Sequence, residues 1–282
     1  MKYVFFGTPA FAARVLRILM EAGWLPVALV CNPDRPFGRK KIVAPPPTKQ
    51  LVRNEKLENK IGILQPEHLL PLSPRLSTFQ PDFFIVAAYA VMIPKKILEI
   101  PRVGTIGVHP SLLPKYRGPT PIQNAILDGE RETGISLYLM DEKLDHGPII
   151  AQEKLAIENA SYEILEQKLG TVAGSLLLQI IPRMLDGSID PKPQAEDRAT
   201  YTKKFTSQDG FVEYEDLQAA LQGKNKEIAS RIERKVRALN PEPGVWALRE
   251  GKRLKILEAR MNGDRLELKK IQTEGKKPVA VL

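Results

Sequence analysis

Cysteine is almost missing from this chain: Cys31 is the only one among 282 residues. A single thiol excludes an internal disulfide framework and any thiolate metal cluster. Histidine is nearly as scarce, and three scattered imidazoles argue against a dedicated zinc site. No uninterrupted apolar run reaches the roughly 18 residues that a membrane span needs. The N-terminal MKYVFFGTPAF enters a strand pattern at once, without the longer apolar core and cleavage site of a signal peptide. We therefore expect a cytoplasmic chain with no metal and no membrane partner. Nucleotide and hydrolase motifs are missing too. Only Gly7 fits a G-x-G-x-x-G fingerprint, and G-x-x-x-x-G-K-[ST], HExxH and G-x-S-x-G do not occur. With metals and hydride cofactors set aside, the chemistry left is acid–base group transfer.

What the chain does have is an ordinary globular composition, 43% hydrophobic and 27% charged, and an excess of positive charge, formally +9. The excess is uneven. Residues 231–282 hold 14 Lys+Arg against 7 Asp+Glu, while the other 230 residues hold 28 against 26. Such concentration fits either a solvated face or a polyanionic partner, of which nucleic acid is the commonest.

Strand and helix signals alternate through the first half. Tyr3 to Gly7 is a short apolar run, and Phe11, Val15, Leu16, Ile18 and Leu19 follow at helical spacing over Pro9 to Ala22. Further strands are predicted at Leu25–Cys31, Phe83–Ala88 and Thr105–His109. The alternation predicts an α/β fold, Rossmann-like, with a mostly parallel sheet that binds ligands beyond the carboxyl ends of its strands. Thr133–Met140 and Pro148–Ile157 read as strands joined by the loop DEKLDHG, and Tyr162 to Leu185 as a long helix. A polar, proline-broken stretch at 189–206 reads as a linker. It would separate a catalytic domain (1–188) from a basic C-terminal domain (207–282). That domain has a helix near Lys224–Leu239 and then alternating β-type runs, for which we expect a small β-barrel, OB-like.

Two loops are rich in reactive groups. His109 closes a strand and opens His109-Pro110-Ser111-Leu112-Leu113-Pro114. A second loop runs from Met140 to Pro148 and holds Asp141, Glu142, Asp145 and His146. A carboxylate set by one loop against the imidazole of the other would orient the ring, stabilise its charged form and accept a proton in turn. Judged as an isolated imidazole, His109 reads as a packed core residue; its strand-end place and the candidate carboxylate partner leave that reading and an acid–base group equally open. His68 is expected to lie on the surface, and Cys31 and Trp246 to pack.

The run from His109 through Lys115-Tyr116-Arg117-Gly118, with Pro121-Ile122-Gln123 after it, resembles the signature of the folate-dependent formyltransferases. Leu144-Asp145-His146-Gly147 is similar to that family's L-D-T-G loop. The stretches FFGTPAFAA (5–13) and NPDRPFGRKK (32–41) resemble the branch of the family that acts on methionyl-tRNA. The resemblance implies transfer of a formyl group from 10-formyltetrahydrofolate, as co-substrate, to an amine, here that of an initiator methionyl-tRNA, by a chain acting as a monomer. The amine attacks the formyl carbon, a tetrahedral oxyanion forms, and the folate nitrogen leaves. By the same resemblance, His109 serves the oxyanion and Asp145 holds His109 and collects the amine proton. Ser111, Leu112, Leu113 and Pro114 line the folate site. Tyr89, Ala90, Met92 and Ile93, with Asp141 and Leu144, hold the pterin ring. Arg35, Arg39, Lys40 and Lys41, in a basic loop that also carries Lys49, meet the tRNA acceptor arm.

One position departs from the pattern. The family's usual motif is N-x-H, and this chain has Gly107-Val108-His109. Losing an oxyanion-hole donor typically lowers the rate by about 10²–10³. Another group could supply the bond, with Asn124 and His146 as candidates; the chain could be slow; or it could bind RNA or folate without transferring formyl. If a donor is missing, Gly107→Asn should raise the rate. A formyltransferase for a small amine, such as an aminosugar nucleotide or glycinamide ribotide, is the other open reading, against which the basic tail and the arginine loop argue.

Overall fold

The computed structural model describes residues 1–37 and 41–281. The elements begin with β1 (Tyr3–Gly7), α1 (Ala10–Glu21), β2 (Ala28–Val30) and a small hairpin of β3 (Arg35–Phe37) and β4 (Ile42–Ala44). Then come α2 (Pro47–Asn54), β5 (Gly62–Leu64), α3 (Ser73–Thr78), β6 (Phe83–Ala87), α4 (Lys95–Leu98) and β7 (Gly104–His109). Next are α5 (Pro121–Leu127), β8 (Glu132–Leu139), β9 (Ile149–Ala156) and the long α6 (Tyr162–Leu185). They are followed by α7 (Tyr214–Leu221), α8 (Lys226–Leu239), β10 (Val245–Arg249), β11 (Lys252–Asn262), β12 (Arg265–Thr273) and β13 (Val279–Ala280). Two compact units interleave along the chain. One holds Met1–Gly118, Thr133–Leu155 and Glu166–Tyr201, and the other Pro119–Glu132, Ala156–Leu165 and Thr202–Leu282.

In the first unit, seven strands among the described residues form one sheet in the order β5-β2-β1-β6-β7-β8-β9. The five from β5 to β7 are mutually parallel. All five residues of β1 are buried, as expected of a strand covered on both faces. One core face gathers Val4, Phe6, Val30, Phe84, Tyr89 and Ile97, among others. The chain order turns back at β1 and β6, since β2 and β5 lie to one side and β7 to β9 to the other. That reversal opens a crevice beyond the carboxyl ends of β1 and β6. Gly7 lets the backbone close up there: a Cβ on it would lie 2.7 Å from the Ala12 Cβ and 2.8 Å from the Ala87 oxygen. Ala88, just past β6, holds φ at +46°, a conformation that residues with a Cβ rarely adopt.

Strand β8 runs antiparallel to β7, placing Gly107 opposite Tyr138 and His109 opposite Ser136. The loop after β8 therefore leaves from the other end of the strand pair than the loop after β7. It folds back, with Leu139 N donating to the Pro148 oxygen at 2.9 Å. By length and composition α6 could cross a membrane, but half of its apolar window is buried in protein, including Leu169, Ala173, Leu177 and Ile181.

The second unit contains the small C-terminal β domain, seen as a four-stranded sheet in the order β10-β11-β12-β13 with every pairing antiparallel. Helix α8 packs on it through Ala229, Ile232, Val236 and Leu239. The Asn225 side chain caps that helix by accepting from Ile228 N at 3.1 Å. Trp246 is half-buried rather than fully packed. Phe211 lies against its ring at 4.7 Å, and the Arg253 guanidinium sits 3.8 Å from the ring centroid.

Candidate active site

His109 ends β7 almost fully buried, 6% exposed. Its Nε2 lies 2.8 Å from the Tyr116 carbonyl. A carbonyl can only accept, so Nε2 carries a hydrogen and Nδ1 is the nitrogen left for chemistry. Nδ1 faces Asp145 Oδ2 at 3.6 Å. That spacing suits an ion pair and is too long for a direct hydrogen bond. The two loops thus meet, imidazole against carboxylate.

Asp145 is held at three points, and Gly147 beside it at a fourth. Gly118 N donates to Oδ2 at 2.7 Å, and the Tyr138 hydroxyl donates to Oδ1 at 2.8 Å. Gln194 Nε2 donates to the Asp145 carbonyl at 2.9 Å and to the Gly147 carbonyl at 2.8 Å. These bonds hold Asp145 at φ +49°, in the left-handed region that aspartate tolerates better than most residues. Desolvation first, then the adjacent Asp145 carboxylate, pushes the Tyr138 phenol well above its ordinary range, so it stays a donor.

Gln194 is itself fixed by Arg117, whose side chain is fully buried. Arg117 forks onto Glu196 with contacts of 2.9 and 2.8 Å, and also donates to Gln194 Oε1 and the Tyr201 hydroxyl. The guanidinium holds the Glu196 carboxyl below the usual range. Part of the stretch read as a linker is therefore a wall of this site. His146 gives Nδ1 to Asp141 Oδ2 at 2.7 Å, with Nε2 3.7 Å from Glu196. The Asn124 amide is engaged with the Thr120 carbonyl and hydroxyl. Both candidates for a replacement donor already have partners.

The remaining candidate residues divide by exposure. Ser111 and Leu113 are buried, and Ser111 Oγ donates to the Lys115 carbonyl at 2.6 Å, bracing its own loop. Leu112 and Pro114 are partly exposed. Tyr89 and Ile93 belong to the core, where burial raises the Tyr89 phenol to about 12, so neither side chain is open to a ligand. Ala90 is exposed, and Met92 (63%) and Leu144 (47%) show large apolar side chains to solvent. Asp141 is partly exposed. Gly107 is covered: a Cβ built on it would lie 2.3 Å from Tyr138 Cε1. An asparagine there, expected above to help, meets a ring instead.

Among the basic residues, Arg35 is exposed on the hairpin and pairs loosely with Glu67 at 3.4 Å. Lys41 is exposed, while Arg39 and Lys40 lie outside the described residues. Lys49 does not belong with them. It is buried, 8% exposed, and its Nζ donates to both Asp34 oxygens at 2.8 Å and to Gln65 at 2.6 Å. The groups that sequence reading missed are Tyr138, Arg117, Gln194 and Glu196. None stands in a recognisable motif of its own except Arg117, which lies inside the matched loop.

Residues 1–181 match the family described as formyl transferase, and residues 226–267 match the formyl transferase C-terminal domain. A methionyl-tRNA formyltransferase of Halalkalibacterium halodurans is 40% identical over 259 residues, 91% of this chain and 77% of that protein. The solved methionyl-tRNA formyltransferase from Clostridium thermocellum shares the fold with a TM-score of 0.61, 17% identity and full coverage of both chains. HypX from Aquifex aeolicus in complex with tetrahydrofolic acid aligns with a TM-score of 0.66 at 16% identity, covering all of this chain and 46% of that one.

Proposed function

The chain belongs to the formyl transferase family, and we propose that it moves the formyl group of 10-formyltetrahydrofolate to the α-amine of initiator methionyl-tRNA, in the cytoplasm, for translation initiation. The observation that carries this reading is the facing of His109 Nδ1 and Asp145 Oδ2 at 3.6 Å, in a chain 40% identical to a methionyl-tRNA formyltransferase. Residues 1–188 would perform the transfer and 207–282 would contact tRNA, with 189–206 joining them.

An α-amine with a pKa of roughly 7.7–8.0 is partly neutral near pH 7 and needs positioning more than activation. As it attacks, negative charge grows on the formyl oxygen. In its doubly protonated form His109 donates Nδ1–H to that charge, since Nε2–H is tied to the Tyr116 carbonyl and Nδ1 is not committed to a direct bond with Asp145. Asp145 keeps the ring's charge balanced and takes the amine proton, directly or through water. The site fits a folate donor in its chemistry. Met92 and Leu144 offer apolar surface, Leu112 and Pro114 are partly exposed, and Ala90 is exposed. Arg35, Arg39, Lys40 and Lys41, with the basic C-terminal segment, supply phosphate contacts.

The test is formyl transfer by the purified protein from 10-formyltetrahydrofolate to charged initiator tRNA, run beside free small amines. Formylation of methionyl-tRNA alone is the expected result. Turnover confined to a small amine, or binding without turnover, would overturn the reading.

A further inference from the structure

Gly107 and Tyr138 are register partners across β7 and β8, so their side-chain positions lie on the same face of the sheet. A Cβ on Gly107 would lie 2.3, 2.4 and 2.8 Å from Tyr138 Cε1, Cζ and the hydroxyl oxygen. The phenol therefore fills the volume that any side chain at 107 would need. Its hydroxyl reaches Asp145 Oδ1 at 2.8 Å, while Oδ2 accepts from Gly118 N and faces His109. Two donors on two different oxygens fix the plane of the carboxylate. A hydroxyl has one hydrogen, and here it goes to Asp145. Tyr138 is therefore not the donor for an oxyanion.

We propose that Tyr138, seated in the space that Gly107 leaves open, is a positioning residue that turns Asp145 toward His109. This rests on the formyl transfer proposed above. The glycine is then the condition for the tyrosine, and the two act as one unit. The ring is 4% exposed, so the contact is shielded from water and its loss would leave Oδ1 without that donor.

Tyr138→Phe keeps the ring over Gly107 and removes only the hydroxyl. We expect kcat to fall on the order of ten- to a hundredfold, with KM for both substrates within about twofold. The decisive measurement is a cycle with Asp145→Asn: a residue that acts through Asp145 has no further effect once that carboxylate is gone. Thermal melts of the same proteins establish that each is folded. If the unaltered protein formylates no methionyl-tRNA, the reading of function falls and takes the positioning role with it. If it is active but Tyr138→Phe keeps more than half of kcat, or loses the same factor in both backgrounds, the positioning role alone is overturned.

Discussion

Gly107 shows how one residue can be misjudged from sequence. Its missing side chain reads as a missing donor, because nothing in a linear chain says that Tyr138, 31 positions later, lies across from it. The structure reverses the consequence. Asparagine at 107 would drive its Cβ into the Tyr138 ring on a buried sheet face. Overpacking of that kind costs about 1–3 kcal/mol. We expect Gly107→Asn to lower stability by about that amount, as measured by urea unfolding. It should also lower activity, because the displaced ring takes its hydroxyl from Asp145. Adding Tyr138→Leu should recover most of the stability. A single Gly107→Asn variant with unchanged unfolding and a higher rate would show that the ring moves freely. His109 and Asp145, by contrast, were legible as a pair, since each sits in a motif whose chemistry calls for the other.

At the scale of elements, long periodic segments were readable and short or cross-chain ones were not. Helix α6 spans the Tyr162–Leu185 of its apolar pattern, and β1 spans its apolar run. The β3–β4 hairpin, with three-residue strands and a proline inside one of them, offers no period to detect. Nor does composition reveal that 189–206 is anchored. Polarity there looks like solvation until Arg117, wholly buried, is seen to fork onto Glu196 and Gln194. Arg117→Met should loosen this segment and with it the Gln194 brace under Asp145. Loss of the donors to Gln194 and Glu196 should weaken the anchoring of this segment. The pH dependence has a definite sign. Glu196 is held below its unfolded value, about 4.3, chiefly by the Arg117 bond, so its contribution is present above that value and disappears as pH falls through the lower folded one. The protection factor for amide exchange over 189–201 should fall on acidification in the unaltered protein. It should be low and nearly insensitive to that change in Arg117→Met. Equal protection in the two proteins at neutral pH would remove Arg117 from this role.

For the whole molecule, the useful quantity is where the positive charge lies rather than its total. Residues 231–282 carry a surplus of seven positive charges, on a helix and strands whose apolar faces are already turned inward. Most of their Lys and Arg side chains are therefore left to the solvent side. Strong ion pairs reduce the free charge at some of them. Lys269 and Arg260 both grip Glu267, drawing its carboxyl down to about 2. Lys255 and Lys277, exposed and without such strong pairs among the described residues, are better candidates for phosphate contact. Each phosphate neutralised by a lysine releases counterions, so log affinity for tRNA should fall linearly with log salt, by roughly 0.7–0.9 per contact. Replacing Lys255 and Lys277 with glutamine should flatten that slope by up to about 2 and weaken tRNA binding, leaving the affinity for the folate donor unchanged. Filter binding across a salt series, with KM for the donor measured beside it, reads both quantities. A slope unaffected by the two substitutions would mean that the tail's surplus charge does not touch the polyanion, and that the basic hairpin alone carries the electrostatic attraction.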